Sequence, residues 1–141
     1  MLKRKINSPM YITWKDENNI GIPIIDEQHR GIVSAINSMY YIMQYEKRQG
    51  AIKSLLVLLE QYTHFHFITE QNLMKEALYP ELEDHLKLHS SLINQTKKLM
   101  QEYQRGADSR QILTFLRDWW LHHIQEEDEK YVPYVLEIGK E

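Results

Sequence analysis

The sequence predicts an all-α fold, an antiparallel up-down-up-down four-helix bundle preceded by an irregular N-terminal arm. Two observations predict it. Four stretches of the 141-residue chain place apolar residues at alternating steps of three and four, the period of one helix face. Only short polar or proline- and glycine-marked breaks separate them, and helices of similar length joined by short loops pack most simply as antiparallel neighbours.

The first stretch opens near Pro23, a residue suited to the first turn of a helix, and runs Ile25, His29, Ile32, Ile36, Met39, Met43. The polar break Glu46-Lys47-Arg48-Gln49-Gly50 precedes the second, which runs Leu55, Leu59, Tyr62, His66, Glu70, Leu73, Ala77 and is expected to end at Tyr79-Pro80. The third reads Leu82, His85, His89, Leu92, Thr96, Leu99, Tyr103, with Gly106 as its stop. Asp108 or Ser109 is the expected N-cap of the fourth, which reads Ile112, Leu116, Trp119, His123 and should fade near Pro133. The bundle thus spans about residues 23–132 of a single domain covering 1–141. Residues 1–22 form the arm, which Ile12 and Trp14 should hold against the helices.

Composition narrows the chemistry. A chain with 43% hydrophobic and 26% charged residues can bury a core, and a net charge of −3 gives no basic surface for nucleic acid. The cluster Lys3-Arg4-Lys5 is too short to change that. No apolar run reads as a secretory signal or approaches a membrane span, so a cytoplasmic protein is expected. Cysteine is absent, which removes disulfides, thiolate metal sites, iron–sulfur clusters and cysteine nucleophiles. Any transition metal must then be held by imidazole and carboxylate.

Seven histidines make that possibility concrete. His29, His66, Glu70, His85, His89 and His123 stand where the pattern reserves places for the core, at least one on every helix. A buried imidazole without partners is costly, and an unpaired buried carboxylate costs several kcal/mol or more. One such residue is commonly a hydrogen-bonded core histidine, and an isolated His-x-x-x-His is weak evidence for metal. Six together need one explanation, and a metal centre supplies it by filling lone pairs and balancing charge. His66 with Glu70 and His85 with His89 are each four apart, so each pair leaves one helix face. His64 and His122 fall off the stripes and should meet solvent. The fourth helix leaves a choice open. Glu127 lies on the face of His123, whereas Asp128 would need a π-bulge to come round, and periodicity alone cannot choose.

The pattern Ile25-Asp26-Glu27-Gln28-His29, His66-Phe67-x-x-Glu70, His85-x-x-x-His89 and His123-Ile124 followed by Asp128 resembles the hemerythrin family, in particular its single-domain bacterial members. Trp14, Gly21, Tyr62, Met74, Tyr79-Pro80, Trp119 and Tyr131 extend the resemblance over nearly the whole chain. It departs at Gln71, where many relatives carry a second acidic residue that is not a ligand. The resemblance implies two non-haem irons, with His85, His89 and His123 on one, His29 and His66 on the other, and Glu70 and Asp128 bridging. It therefore implies Asp128 over Glu127, and a bulge nearby.

If each iron takes six ligands and one oxygen atom bridges them, the three-histidine iron is full and the two-histidine iron keeps one position. Reversible dioxygen binding for storage, delivery or buffering is the function so implied, without enzymatic turnover. No Glu-x-x-His occurs, unlike the carboxylate-rich di-iron enzymes. Five neutral imidazoles should also disfavour highly oxidised iron. The alternatives are an oxygen or redox sensor acting through a separate partner, and an enzyme turning over peroxide or nitric oxide. Trp119, Leu121, Phe67, Ile32 and Val33 are the candidates for lining the oxygen pocket, and Trp119 and Leu121 for limiting solvent access. Oligomeric state and protein partners are not legible in the sequence.

Overall fold

The structure is a computed structural model that describes residues 10–45, 49–106 and 108–138. Its elements in chain order are a 3₁₀ turn Asp16–Asn18, α1 Pro23–Tyr45, α2 Gln49–Glu76, α3 Leu82–Gln104 and α4 Ser109–His122. A π-helical turn His123–Glu127, a 3₁₀ turn Asp128–Tyr131 and α5 Val132–Ile138 continue α4. The expected all-α four-helix bundle is what forms: α1 lies beside α2 and α4, and α3 beside the same two.

Each helix end has a local cause. Pro23 opens α1, and the carboxylate of Asp26 in its first turn accepts the N–H groups of Ile20 (2.7 Å) and Gly21 (3.2 Å). Gly21 takes φ +97°, a conformation that favours glycine, and so lets the chain turn into the helix. The arm is clipped to α1 by Asn37, which accepts the Ile12 N–H at 2.8 Å and donates to the Ile12 carbonyl at 2.9 Å. Ile12 is buried and Trp14 half-buried, with the Arg30 guanidinium 5.7 Å from its ring centre. Lys3-Arg4-Lys5 and the rest of 1–9 lie outside the described residues.

Three boundaries differ from expectation. Helix α2 already includes Gln49 and Gly50, so the break is shorter than its polarity suggested; residues 46–48 lie outside the described residues. A glycine weakens a helix only by about 1 kcal/mol through backbone entropy, so one at the second position of a helix this long does not stop it. At its other end α2 stops at Glu76, one residue short of Ala77 and ahead of Pro80. Leu78 adopts φ +53°, and the N–H groups of Tyr79 and Leu78 return to the carbonyls of Met74 (3.0 Å) and Lys75 (3.2 Å). This is the left-handed helix stop usually built on glycine. The third difference is at Pro133, where helix does not fade but resumes, reaching Ile138. Proline sits in the first turn of α5, where its missing N–H breaks no bond. Gly106 (φ +100°) does end α3, and Asp108 caps α4 by accepting the Arg110 N–H at 3.0 Å.

The antiparallel order puts the beginnings of α1 and α3 at the same end of the bundle as the ends of α2 and α4. His29, His85 and His89 therefore meet His66, Glu70 and His123 at one level. Toward the other end the core is apolar, built from Ile36, Met39, Leu56, Leu59, Ile112, Leu113 and Leu116. Beyond the polar level Ile25, Met74, Tyr79 and Tyr131 close the bundle.

Leu78 offers a direct check on the helix stop. It is 85% exposed, so its side chain contributes little, while its left-handed backbone costs roughly 1–2 kcal/mol in a residue other than glycine. Leu78→Gly should stabilise the protein by about 1 kcal/mol in urea denaturation; a lower midpoint would mean that the leucine makes a contact its exposure conceals.

Candidate metal centre

All four helices contribute to one buried cluster: His29 from α1, His66 and Glu70 one turn apart on α2, His85 and His89 one turn apart on α3, His123 after α4, and Asp128 after the π turn. None is more than 4% exposed. Their donor atoms form two groups, each within a 4.8 Å span: Glu70, His85, His89, His123, Asp128, and His29, His66, Glu70, Asp128. The carboxylates are shared between the groups, and they are shared oxygen by oxygen. Glu70 Oε1 faces His66 Nε2 and His29 Nε2, the latter at 3.6 Å. Its Oε2 faces His85 Nε2 at 3.3 Å and His89 Nε2 at 3.2 Å. Asp128 Oδ2 is 2.9 Å from His29 Nε2, while its Oδ1 is 2.9 Å from His123 and 3.3 Å from His85.

The backbone resolves the choice between Glu127 and Asp128. Residues His123–Glu127 form a π-helical turn, and the Asp128 N–H bonds to the His123 carbonyl five residues back. That wider turn carries the fifth residue under His123, so Asp128 points inward and is fully buried. Glu127 is half-buried and binds Lys130 Nζ at 3.2 Å.

The donor set fits a cationic centre. Both ring nitrogens of His29, His89 and His123, with His66 Nε2, Glu70 Oε1 and both oxygens of Asp128, are buried without a hydrogen-bond partner among the described residues. Buried orphans in that number call for a shared electrophile. The electrostatics agree. Burial should raise Glu70, yet His66, His29 and His85 hold it well below the usual carboxylate range. Burial and Glu70 push Asp128 up, and His123 and His29 more than reverse it. Burial should lower His29 and His85, but Asp128 and Glu70 push each up to about 9. Protein alone can balance the two carboxylates only by charging imidazoles, a role that metal cations fill without protons. Nitrogen and oxygen donors without sulfur suit a first-row transition metal.

Around the cluster the packing is aromatic. Phe67 stacks on His89 with centroids 3.6 Å apart, and Trp119 stacks on His123 at 5.5 Å. Ile32 is fully buried in the core. Val33 lines a groove beneath the arm, with Ile12 and Trp14, and Leu121 is half-buried and packs against the core. His64 and His122 are exposed as expected, and His122 pairs with Glu126 at 3.1 Å.

Three residues around the centre carry roles that the sequence did not single out. Gln28 Oε1 lies 2.7 Å from His66 Nδ1, and its amide donates to Thr69 Oγ1 at 3.2 Å. The amide thus accepts the Nδ1–H and leaves Nε2 free to face the cluster. Gln28 falls three residues after Ile25, on the core stripe, so its polarity there was the available signal. Trp120 is fully buried with its ring 6.0 Å from that of His29 and 5.8 Å from that of His66. It lies four residues after Leu116 and three before His123, which fits the stripe as well as Trp119 does. Tyr131 is also fully buried, 5.6 Å from the His85 ring, and its hydroxyl has no hydrogen-bond partner among the described residues. Burial, then the charges of Glu70 and Asp128, keep that phenol protonated.

Among the described residues no helix is long and apolar enough to cross a membrane. The family model of the hemerythrin HHE cation binding domain matches residues 20–135. The chain is 33% identical over 125 residues to a bacteriohemerythrin of Stenotrophomonas maltophilia, covering 88% of this chain and 81% of that one. Against a myohemerythrin of Theromyzon tessulatum it is 24% identical over 118 residues, covering 84% and 88%. A crystal structure of wild-type hemerythrin superposes with a TM-score of 0.80 at 24% identity, covering 89% of this chain and 98% of that one. With the family model spanning most of the chain and the bundle reproducing the fold, this protein belongs to the hemerythrin family.

Proposed function

We propose that this chain, as one domain, binds dioxygen reversibly at a centre of two irons, serving oxygen storage, delivery or buffering. One observation carries the reading: both carboxylates are shared between a group of three imidazoles, His85, His89 and His123, and a group of two, His29 and His66. His85, His89 and His123 would hold one iron and His29 and His66 the other, with Glu70 and Asp128 shared. When bound, the irons supply the electrons that dioxygen takes up and returns.

The rest falls to the protein. Five imidazoles against two carboxylates leave unequal donor counts at the two positions, and the shortfall lies on the side of His29 and His66. Trp120 stands against those two rings, so it is the side chain best placed to limit the size of an entering molecule and to exclude water. Gln28 fixes which nitrogen of His66 faces the metal. Phe67 and Trp119 hold His89 and His123 by stacking and keep the surroundings dry.

An absorption spectrum tests the reading. The reduced, iron-loaded protein should gain a visible band in air and lose it under argon over repeated cycles, with two irons per chain by elemental analysis. Colour that fails to reverse, or catalytic consumption of peroxide or nitric oxide with a reductant, would replace it with the enzymatic alternative.

Two substitutions follow. Gln28→Ala should weaken metal retention roughly 10- to 100-fold, the usual loss when the partner of a metal-bound imidazole is removed, measured by chelator competition. Trp120→Ala should speed loss of the oxygenated band to the oxidised form, followed as a first-order decay; a rate equal to that of the parent would move the barrier elsewhere, with Trp119 next to test.

A further inference from the structure

One feature is left unused by oxygen binding. Tyr131 buries a hydroxyl that has no hydrogen-bond partner among the described residues, at a place where phenylalanine would fill nearly the same volume without stranding a polar group. Packing therefore does not explain the phenol. Its neighbours do. The Tyr131 ring lies 5.6 Å from His85, Tyr79 lies 6.4 Å further on, and Tyr134 lies 5.2 Å beyond that, all edge-on. Tyr134 is 43% exposed. The Tyr79 hydroxyl donates to Glu81 Oε2 at 3.1 Å, so this middle phenol has a base for its proton. A continuous line of oxidisable rings thus runs from a ligand-side imidazole to the surface.

We propose that Tyr131, Tyr79 and Tyr134 form an exit path that carries oxidising equivalents from the centre to the surface when peroxide reacts there. The proposal rests on iron being held at His85. Hydrogen peroxide is the oxidant. Its O–O bond breaks, and each oxygen takes one electron and one proton to become water. Two tyrosines supply them, each losing one electron and one proton. Tyr131 has no acceptor for its proton and is a passing point. Tyr79 can release its proton to the Glu81 carboxylate, and Tyr134 completes the path by releasing its own to solvent. The first Tyr134 radical takes an electron and a proton from the Tyr134 of a second molecule, and the second equivalent oxidises the restored Tyr134 again. The two Tyr134 radicals join ring to ring as dityrosine, so the overall change is one peroxide and two tyrosines to two waters and one cross-link.

The other aromatic contacts with the cluster lead nowhere comparable: Phe67 on His89 and Trp120 against His29 and His66 are both buried. Trp119 stacks on His123, but its further neighbours are Phe67, Phe115 and the buried Trp120. Phenylalanine is far harder to oxidise than tyrosine, so an equivalent lodged there stays beside the centre.

The test uses the full chain, loaded with iron and assayed for metal content first, then given a few equivalents of hydrogen peroxide. Dityrosine fluorescence, cross-linked dimer on a denaturing gel and peptide mass spectrometry report the products. Tyr134 should be the cross-linked residue. Tyr131→Phe and Tyr79→Phe should keep their iron yet lower the Tyr134 product several-fold, while oxidation at Trp119 and Met74 rises. Glu81→Gln, which keeps an acceptor but removes the base, should lower it as well. Undiminished Tyr134 product in Tyr131→Phe, no product in the iron-loaded parent, or equal product in zinc-loaded protein would each overturn the path. A parent that holds iron but shows no reversible spectrum would sink oxygen carriage alone, because the tyrosine products are read independently.

Discussion

Two carboxylates buried side by side set the terms for this fold. Glu70 and Asp128 have no solvent exposure, and the imidazoles of five histidines crowd round them. Neither could be tolerated there alone, since an uncompensated buried charge destabilises a small domain by a large part of its total stability. Compensation has to come from cations at the junction of every helix. The geometry of the bundle follows from this demand as much as from apolar packing: each helix is placed so that its polar residues arrive at the same level, and the aromatic rings of Phe67, Trp119 and Trp120 fill the space around them.

Delivering Asp128 to that level required a departure from regular helix. An α-helix would bring Glu127 under His123 and send Asp128 to the flank. The five-residue turn reverses the two, sending Glu127 to Lys130 at the surface. The 3₁₀ turn that follows tightens what the π turn loosened, and Tyr131 and α5 are set down against the end of α2. One added residue of slack thus brings the second carboxylate into the cluster and also orients the segment that seals the bundle. Irregular backbone at a functional centre, with regular backbone on either side, is the usual distribution of strain in such proteins.

Much of this was legible in the residues alone. The four helices and the inward placing of His29, His66, Glu70, His85, His89 and His123 could be read from spacing, because burial of a stripe depends on little beyond helical period. Asp128 could not, since its position depends on a hydrogen-bond shift that leaves no mark in hydropathy; family likeness carried that reading. The ends of α2 and α5 also escaped. Gly50 and Pro133 look like breakers, yet glycine's entropic cost is too small to stop a long helix and proline's missing N–H breaks no bond in a first turn, while Leu78 adopts a conformation that its identity disfavours. The neighbours of the centre were harder still. A stripe tells that Gln28, Trp120 and Tyr131 are inside, but not which ring or lone pair each one meets, and Val33, which lines a groove beneath the arm, shows the same ambiguity from the other side.

The level structure of the core has a consequence for how the molecule comes apart. Between Ile36 and Leu116 the interior is hydrocarbon and needs nothing from outside; around Glu70 it is cohesive only while positive charge is present. A chain stripped of metal is therefore two unequal halves sharing the same four rods. Amide protons in the hydrocarbon half should be shielded from exchange long after those flanking the polar half have become accessible, so that holding and releasing the cofactor amounts to reversible fraying at one end of an otherwise intact body.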